Sequence, residues 1–384
     1  MILNLKIILK LFIYSIINIF IKSTNNIKPN SLLLIRLDAI GDYVLFRNFI
    51  EPLKNNEKYK NYTITLLGNS AWKSLSEKYD HDSIDEFIWL DRDRFIKDIF
   101  YRTKKLRELA SRGYEVIISP TYSRDFFIVD NLVKLITARK KIGSVGDFSN
   151  IKKWQKNLSD NYYDILIPSK SIVMFEFERN KEFFEKLLST KLNTISLNMK
   201  KQHNRLMYDL PKKYAIIFIG ASDKYKKWSV EKFSQAANYL NVKYGYDIVI
   251  CGSRADSNQA SKLEKNHDGK LLNLVGKTSL IELTTVIDNC DLMLSNETSA
   301  PHIAVALKTL NIFVIYNGSH YGRFTPYPKE ISKNYHVIYH PDINRDLDGY
   351  KSISNNYGYR TNLYIDDITI KMVKDKIDTV LNNK

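Results

Sequence analysis

The sequence predicts an α/β protein of two domains, each a parallel sheet flanked by helices, on three observations. The chain has 384 residues, too many for one ordinary α/β domain and comfortable for two. From Ser31 onward, short β-branched or leucine-rich runs alternate with amphipathic stretches, the pattern of strands and helices around a parallel sheet. After a polar passage a second series of runs begins, matching the first in pattern and not in residues.

The first series comprises SLLLIRL (31–37), TITLLG (63–68), EFIWLD (86–91), YEVIISP (114–120) and RKKIGSVG (139–146), with helical spacing over 42–54, 94–111 and 123–136. Residues 147–212 hold few strand signals, and MFEFERNKEFFEKLL followed by KQHNRLMYDLPKK reads as a helix and a linker. The second series is YAIIFIG (214–220), YDIVICG (246–252), LLNLVG (271–276), DLMLSN (291–296) and NIFVIYN (311–317). An amphipathic helix over 366–381 closes the chain, with Asp366 as its expected N-cap. The expected division is a membrane-associating helix over 1–26, domains over 27–200 and 201–345, and a closing extension over 346–384.

Hydrophobic residues make up 44% and charged residues 26%, which excludes a disordered chain. The net charge of +16 is compatible with nucleic acid, anionic membranes or phosphate-bearing substrates. Its lysines are scattered among Asn and Ile, without a block of basic residues, which disfavours a nucleic-acid-binding arm. The two cysteines, Cys251 and Cys290, have neither metal nor redox spacing and read as buried small hydrophobes in a cytoplasmic protein.

Residues 1–22, MILNLKIILKLFIYSIINIFIK, are strongly apolar yet interrupted by Lys6, Lys10 and Lys22. The uninterrupted stretch is too short to span a bilayer, and a helical wheel gathers Asn4, Lys6, Lys10, Ser15, Asn18 and Lys22 on one half, shared with Leu3, Ile7 and Leu11. An interfacial helix at the inner face of the cytoplasmic membrane is expected, against the alternative of a helix packed on its own protein.

Three turns carry chemistry. RLDAIGDYVL sets Gly41 and Asp42 where a strand gives way to a helix, the ligand-facing rim of a parallel sheet. Asp42 can be a general base or simply a first-turn carboxylate favoured by the helix dipole. GASDKYKKW brings Lys224, Lys226 and Lys227 to the equivalent rim of the second half, where ammonium groups can offset the charge of a leaving diphosphate. SNETSAPHIAVAL runs from a strand into an apolar helix whose first amides form an anion site, with His302 in the first turn.

Together these elements, in this order with LVGKTSLIEL and IYNGS, resemble glycosyltransferase family 9, the heptosyltransferases that use ADP-heptose to build lipopolysaccharide cores. The resemblance implies the GT-B fold: two Rossmann-like domains facing each other, acceptor on the first, donor mainly on the second, and a last helix returning to the first. It implies that Asp42 is the base for the acceptor hydroxyl and that Lys226 contacts the donor phosphate, with Ser222 nearby. Asp256 is then the candidate for the ribose and Thr278 for the nucleotide base. The family's D-T-G-x-x-H element becomes Glu297, Thr298, Ser299, Ala300, Pro301 and His302, so its aspartate and glycine are replaced. Ser229 stands where relatives often have proline. GSHYGRFTPYP resembles a variant among polysaccharide-cluster members and adds His320 and Arg323 as donor or acceptor contacts.

The expected activity is inverting transfer of heptose or a related sugar from a nucleoside-diphosphate sugar to a lipopolysaccharide, capsule or other glycolipid or oligosaccharide acceptor. It requires no metal ion or other cofactor. The alternatives are a GT-B sugar-nucleotide epimerase and a non-catalytic nucleotide-sugar-binding protein of a polysaccharide assembly complex. Nucleic acid is not an expected partner.

Overall fold

A computed structural model describes residues 5–201, 207–221 and 223–382. The chain forms two compact units. The first comprises Met1–Ala39, Phe49–Ser171 and Arg179–Asn193, and the second Ile40–Asn48, Ile172–Glu178 and Thr194–Lys384. The helix α1 (Leu5–Ile19) precedes the sheet of the first unit.

The first unit holds β1 (Lys28–Arg36), β2 (Thr63–Asn69), β3 (Glu86–Leu90), β4 (Gly113–Ser119), β5 (Thr137–Ser144) and β6 (Ile165–Ile167), ordered β3-β2-β1-β4-β5-β6 and parallel throughout. The second holds β7 (Tyr214–Phe218), β8 (Asp247–Cys251), β9 (Leu271–Asn273), β10 (Leu292–Asn296), β11 (Ile312–Tyr316) and β12 (Tyr335–Tyr339), ordered β12-β11-β10-β7-β8-β9. Counted within its own unit, each sheet has the strand order of a doubly wound nucleotide-binding sheet, as two Rossmann-like domains require. The central strands are apolar at nearly every position because helices cover both sheet faces: β7, β10 and β11 are buried along their whole lengths.

Ten strands coincide with the apolar runs. The other two among the described residues, β6 and β12, are edge strands that fall outside those runs. The helical stretch over 94–111 is two helices, Arg92–Lys97 and Ile99–Ala110, because the Asp98 carboxylate accepts from the Tyr101 N–H (2.9 Å) and starts a new helix there.

The second core gathers around β7, β8 and β10 and the Val230–Tyr244 helix, which begins at Ser229 and ends at Gly245. Gly245 adopts a left-handed φ of 67°, and its N–H closes the helix on the Asn241 carbonyl (3.0 Å). Inside, Trp228 and Phe233 meet edge-to-face at 5.0 Å.

The closing segment departs from expectation at its cap. Asp366 does not cap the last helix, Ile370–Leu381. Thr369 does so by accepting from the Met372 N–H, while Asp366 accepts from the Ser229 N–H (2.8 Å). The last helix packs within the second unit. Val373 and Ile377 enter the second core, and Asp378 accepts from the hydroxyls of Tyr239 and Tyr244 and pairs with Lys243 (2.7 Å), all on the Val230–Tyr244 helix. The apolar stripe of the last helix fits this neighbour, and its acidic outer position meets a basic one.

Phe233→Ala should lower the stability of the second unit by about 3–5 kcal/mol, because the ring is fully buried and its loss opens a cavity beside Trp228. Urea unfolding followed by tryptophan fluorescence measures it.

Candidate active site

In doubly wound sheets ligands bind beyond the carboxyl ends of the strands, where the strand order reverses. In the second unit this point lies between β7 and β10, and the segments leaving those strands carry most of the predicted residues.

Asn296 ends β10 and is fully buried. Its Nδ2 donates to the Ile219 carbonyl (2.9 Å), and its Oδ1 accepts from the Trp228 N–H (3.1 Å). One amide thus pins both ends of the 219–228 segment. Within that segment Asp223 accepts from the Tyr225 N–H (2.9 Å) and starts the 3-10 turn Lys224–Lys226. The Lys226 ammonium then forms an ion pair with the carboxylate of Glu297, the residue after Asn296. Glu297 is buried, and the Lys226 side chain is 17% exposed. Asn317, beyond β11, adds a third clamp by donating to the Tyr225 carbonyl (3.1 Å). Ser222 lies outside the described residues.

Asp256 does not present itself to a ribose. It is 3% exposed, and its carboxylate accepts from Lys227 (2.6 Å), the Ser253 N–H (3.0 Å) and the Ser253 hydroxyl (2.7 Å). Burial raises its pKa, but these hydrogen bonds outweigh burial and hold the carboxyl below its usual range. Gly220 and Gly252 crowd the same carboxylate, at 2.8 and 3.3 Å from a built Cβ, so Asp256 braces the loops and positions Lys227. Thr278 is half-buried in the turn after β9, between Gly276 at φ 68° and the Ser279 cap of the next helix.

Thr298 caps the Ser299–Ala306 helix in extended conformation, and its side chain bonds none of the first-turn amides. Ala300 and His302 in this helix are buried, and Ser299 is half-buried. His302 Nδ1 shares a 2.6 Å hydrogen bond with the Tyr327 hydroxyl. The opposite edge of the ring faces Gly41: a Cβ on Gly41 would lie 2.9 Å from His302 Cδ2, 3.5 Å from Nε2 and 3.7 Å from the Ser299 Cα. Only a residue without a side chain allows so close an approach. Gly41 belongs to the short helix α2 (Ile40–Phe46), which carries Asp42 in its first turn. The turn before it is fixed in the first unit, where the Asp38 carbonyl accepts from Trp72 Nε1 (3.0 Å) and Asn69 Nδ2 (3.1 Å).

Arg323 completes the group. Its Nε donates to Glu176 (3.0 Å), whose own N–H donates to the Arg323 carbonyl (2.8 Å). Burial disfavours the guanidinium charge, but the carboxylates of Glu176 and Asp42 more than offset it and raise the Arg323 pKa. His320 has a left-handed φ of 57°, and its N–H donates to the Tyr359 carbonyl (2.9 Å). Glu176 was invisible as a site residue because it opens the Glu176–Leu188 helix, remote in sequence and read only as part of an amphipathic stretch. Asn296 and Tyr327 likewise gave no signal beyond their polar type.

The arrangement alternates cations with anions: Lys226 with Glu297, Lys227 with Asp256, Arg323 with Glu176 and Asp42. Both histidines are held neutral. Burial pushes His302 down to about 4, with Lys226 reinforcing and Glu297 opposing. Burial, Lys226 and Arg323 push His320 down to about 4 as well, against Glu297 and the Tyr357 backbone. Such a set can fix an anionic ligand by ammonium and amide donors.

The sequence pattern of glycosyltransferase family 9 (heptosyltransferase) matches residues 102–346, well over half of the chain. The chain belongs to this family. The lipopolysaccharide heptosyltransferase 3 of Escherichia coli K12 is 25% identical over 277 residues, covering 70% of this chain and 77% of that protein. A lipooligosaccharide heptosyltransferase 2 of Campylobacter jejuni is 24% identical over 249 residues, covering 58% of this chain and 77% of its own. Among solved structures, a family 9 glycosyltransferase of Veillonella parvula superposes with a TM-score of 0.66 at 18% identity, covering 94% of this chain and all of the other. The E. coli heptosyltransferase WaaC with ADP gives 0.64 at 16% identity, covering 91% and 99%. At these identities the structural likeness speaks for the fold, which is GT-B. Family membership makes the protein a glycosyltransferase of the heptosyltransferase type.

The histidines set an acid sensitivity. Their folded-state pKa of about 4 lies below the ordinary 6.5, so between these pH values the unfolded chain binds more protons than the native one. Stability should therefore be unaffected by them above pH 6.5 and should fall progressively towards pH 4. Melting temperatures from pH 7 to 5 should drop less for His302→Gln than for the parent protein.

Proposed function

We propose that the protein transfers a heptose or related sugar, with inversion, from a nucleoside-diphosphate sugar to a hydroxyl of a glycolipid of the lipopolysaccharide or capsule class. The observation that carries this reading is the close approach of Gly41 to His302, which brings the Asp42 turn against the start of the Ser299–Ala306 helix, beside the Lys226–Glu297 pair.

In this reading the diphosphate of the donor lies on the first-turn amides of that helix, whose positive dipole end favours anions. Asp42 takes the proton of the acceptor hydroxyl as its oxygen attacks the anomeric carbon from the face opposite the leaving group. The bond from that carbon to the phosphate oxygen breaks, and the electron pair leaves with the nucleoside diphosphate. Lys226 and the amides stabilise that charge as it grows, which is where electrostatic catalysis acts. The reaction runs without a metal ion. Glu297 holds Lys226 in place, and neutral His302 supports the helix start without adding charge. Arg323, positioned by Glu176, lies in the field of Asp42. Among the relatives, a structure of E. coli WaaC contains ADP-2-deoxy-2-fluoro heptose, which makes an adenine nucleotide the first donor to try. The acceptor is drawn from the cytoplasmic face of the membrane.

Asp42→Asn should lower kcat by about 10²–10⁴-fold while leaving the thermal shift given by the donor unchanged. Retained turnover would remove Asp42 from the reaction. Lys226→Ala should lower kcat by about 10²–10³-fold and weaken donor binding. A thermal-shift panel of ADP-, GDP-, UDP- and CMP-sugars identifies the nucleotide, and the anomeric configuration of the product, read by NMR, checks inversion.

A further inference from the structure

The helix α1 packs against the first unit through Lys10, Tyr14, Ile17 and Asn18 and leaves an apolar stripe exposed, unlike a helix that turns its polar face to water. On the inner side, the Lys10 ammonium sits 4.5 Å above the Phe127 ring. Tyr14 is buried, donates to the Ile96 carbonyl (3.1 Å), and lies under the Arg102 guanidinium at 3.6 Å. The Asn18 amide donates to Asn131 (2.7 Å), and Ile21, just beyond the helix, enters the first core. These contacts fix which side faces out. On the outer side Leu9, Phe12, Ile16 and Ile19 form one exposed stripe, continued by Phe20; Phe12 is 63% and Ile19 77% exposed.

The elements beneath α1 extend this surface. The Ile99–Ala110 helix begins with Ile99 and Phe100, both exposed, Phe100 at 87%. Around them the charge is one-sided: residues 92–112 contain eight basic and three acidic side chains. Arg94, Lys97, Lys104 and Arg107 are exposed, as is Lys22 after α1. An apolar stripe rimmed by cations matches an anionic lipid surface, whose acyl boundary takes the apolar side chains and whose headgroups take the lysines and arginines. The fifteen residues of α1 reach only about 22 Å at 1.5 Å each, short of the roughly 30 Å hydrocarbon core. No helix among the described residues is long and apolar enough to cross a membrane.

We propose that α1 is an in-plane membrane-docking helix: it lies flat on an anionic bilayer with Leu9, Phe12, Ile16, Ile19 and Phe20 immersed, while Tyr14 and Asn18 rivet it to the first unit. The proposal deepens the glycolipid-acceptor reading by naming the surface from which such an acceptor is drawn, yet it stands on α1 alone.

The test is co-sedimentation of the full chain with vesicles of phosphatidylglycerol and phosphatidylethanolamine, against vesicles of phosphatidylcholine. The protein should bind the anionic vesicles, less so at high salt, and bind phosphatidylcholine far more weakly. The double variant Phe12→Glu/Ile16→Glu should lower partitioning about tenfold or more with an unchanged melting temperature. Phe12→Trp, which keeps the stripe apolar, should shift its emission to the blue on binding and be quenched by brominated acyl chains, so the proposal stays testable if the glutamates disturb folding. Undiminished binding of the glutamate variant, no binding by the parent, or an unquenched Trp would each overturn it. So would concentration-dependent dimerisation that the glutamates abolish, which would give the stripe to a second copy of the chain. The donor thermal shift, measured in parallel without vesicles, reports on the transferase reading separately.

Discussion

The ion pair of Lys226 with Glu297 is the contact on which the second unit's site is organised. The lysine reaches it only because Asn296 pins the 219–228 segment at both ends and Asp223 turns the chain just before. Removing one member of a buried pair generally costs about 3–5 kcal/mol, because the remaining charge has lost its compensation; the partial exposure of Lys226 places this pair below that range. The pair also explains what glutamate does in a position where the family pattern has aspartate: its longer arm meets the ammonium and fixes it at the helix start. Since the carboxylate largely neutralises the lysine, an incoming diphosphate also depends on the amides of the Ser299–Ala306 helix, which is why their access matters as much as the lysine's charge.

A second constraint is steric. Gly41 is tightly apposed to His302, and this apposition works only with a residue that has no side chain at position 41. Burial keeps the His302 ring neutral, and Tyr327 holds its orientation through Nδ1. The carboxylate of Asp42 therefore reaches its place through the backbone of α2 and the turn anchored at Asp38. The same economy recurs at Arg323, which Glu176 orients through both its side chain and its backbone.

Much of this was legible before any coordinates. Apolar runs located every described strand except β6 and β12, and the rims at Asp42, Lys226 and Glu297 followed from where those runs ended. What was missing is what sequence encodes only through burial and long-range contact. Asp256 was a ribose candidate only through the family resemblance; its burial and its bonds to Lys227 and Ser253 make it a brace. Glu176 was hidden in a helix, and the last helix carried an amphipathic pattern that states which face is apolar and not which neighbour receives it. In α1 the wheel could not say which side faces the protein, since that depends on Phe127, Asn131 and Arg102 being there to receive Lys10, Asn18 and Tyr14.

The central claim is that one donor diphosphate lies on the Lys226 ammonium and the first-turn amides of the Ser299–Ala306 helix, with the anomeric carbon turned towards Asp42. The most direct measurement is a crystal structure with an unreactive nucleoside-diphosphate sugar bound. The account predicts phosphate oxygens within hydrogen-bonding distance of Lys226 Nζ and of the amides of residues 299–301, and the Asp42 carboxylate facing the anomeric carbon opposite the leaving oxygen. A diphosphate bound away from Lys226, or an anomeric carbon shielded from Asp42, would contradict it.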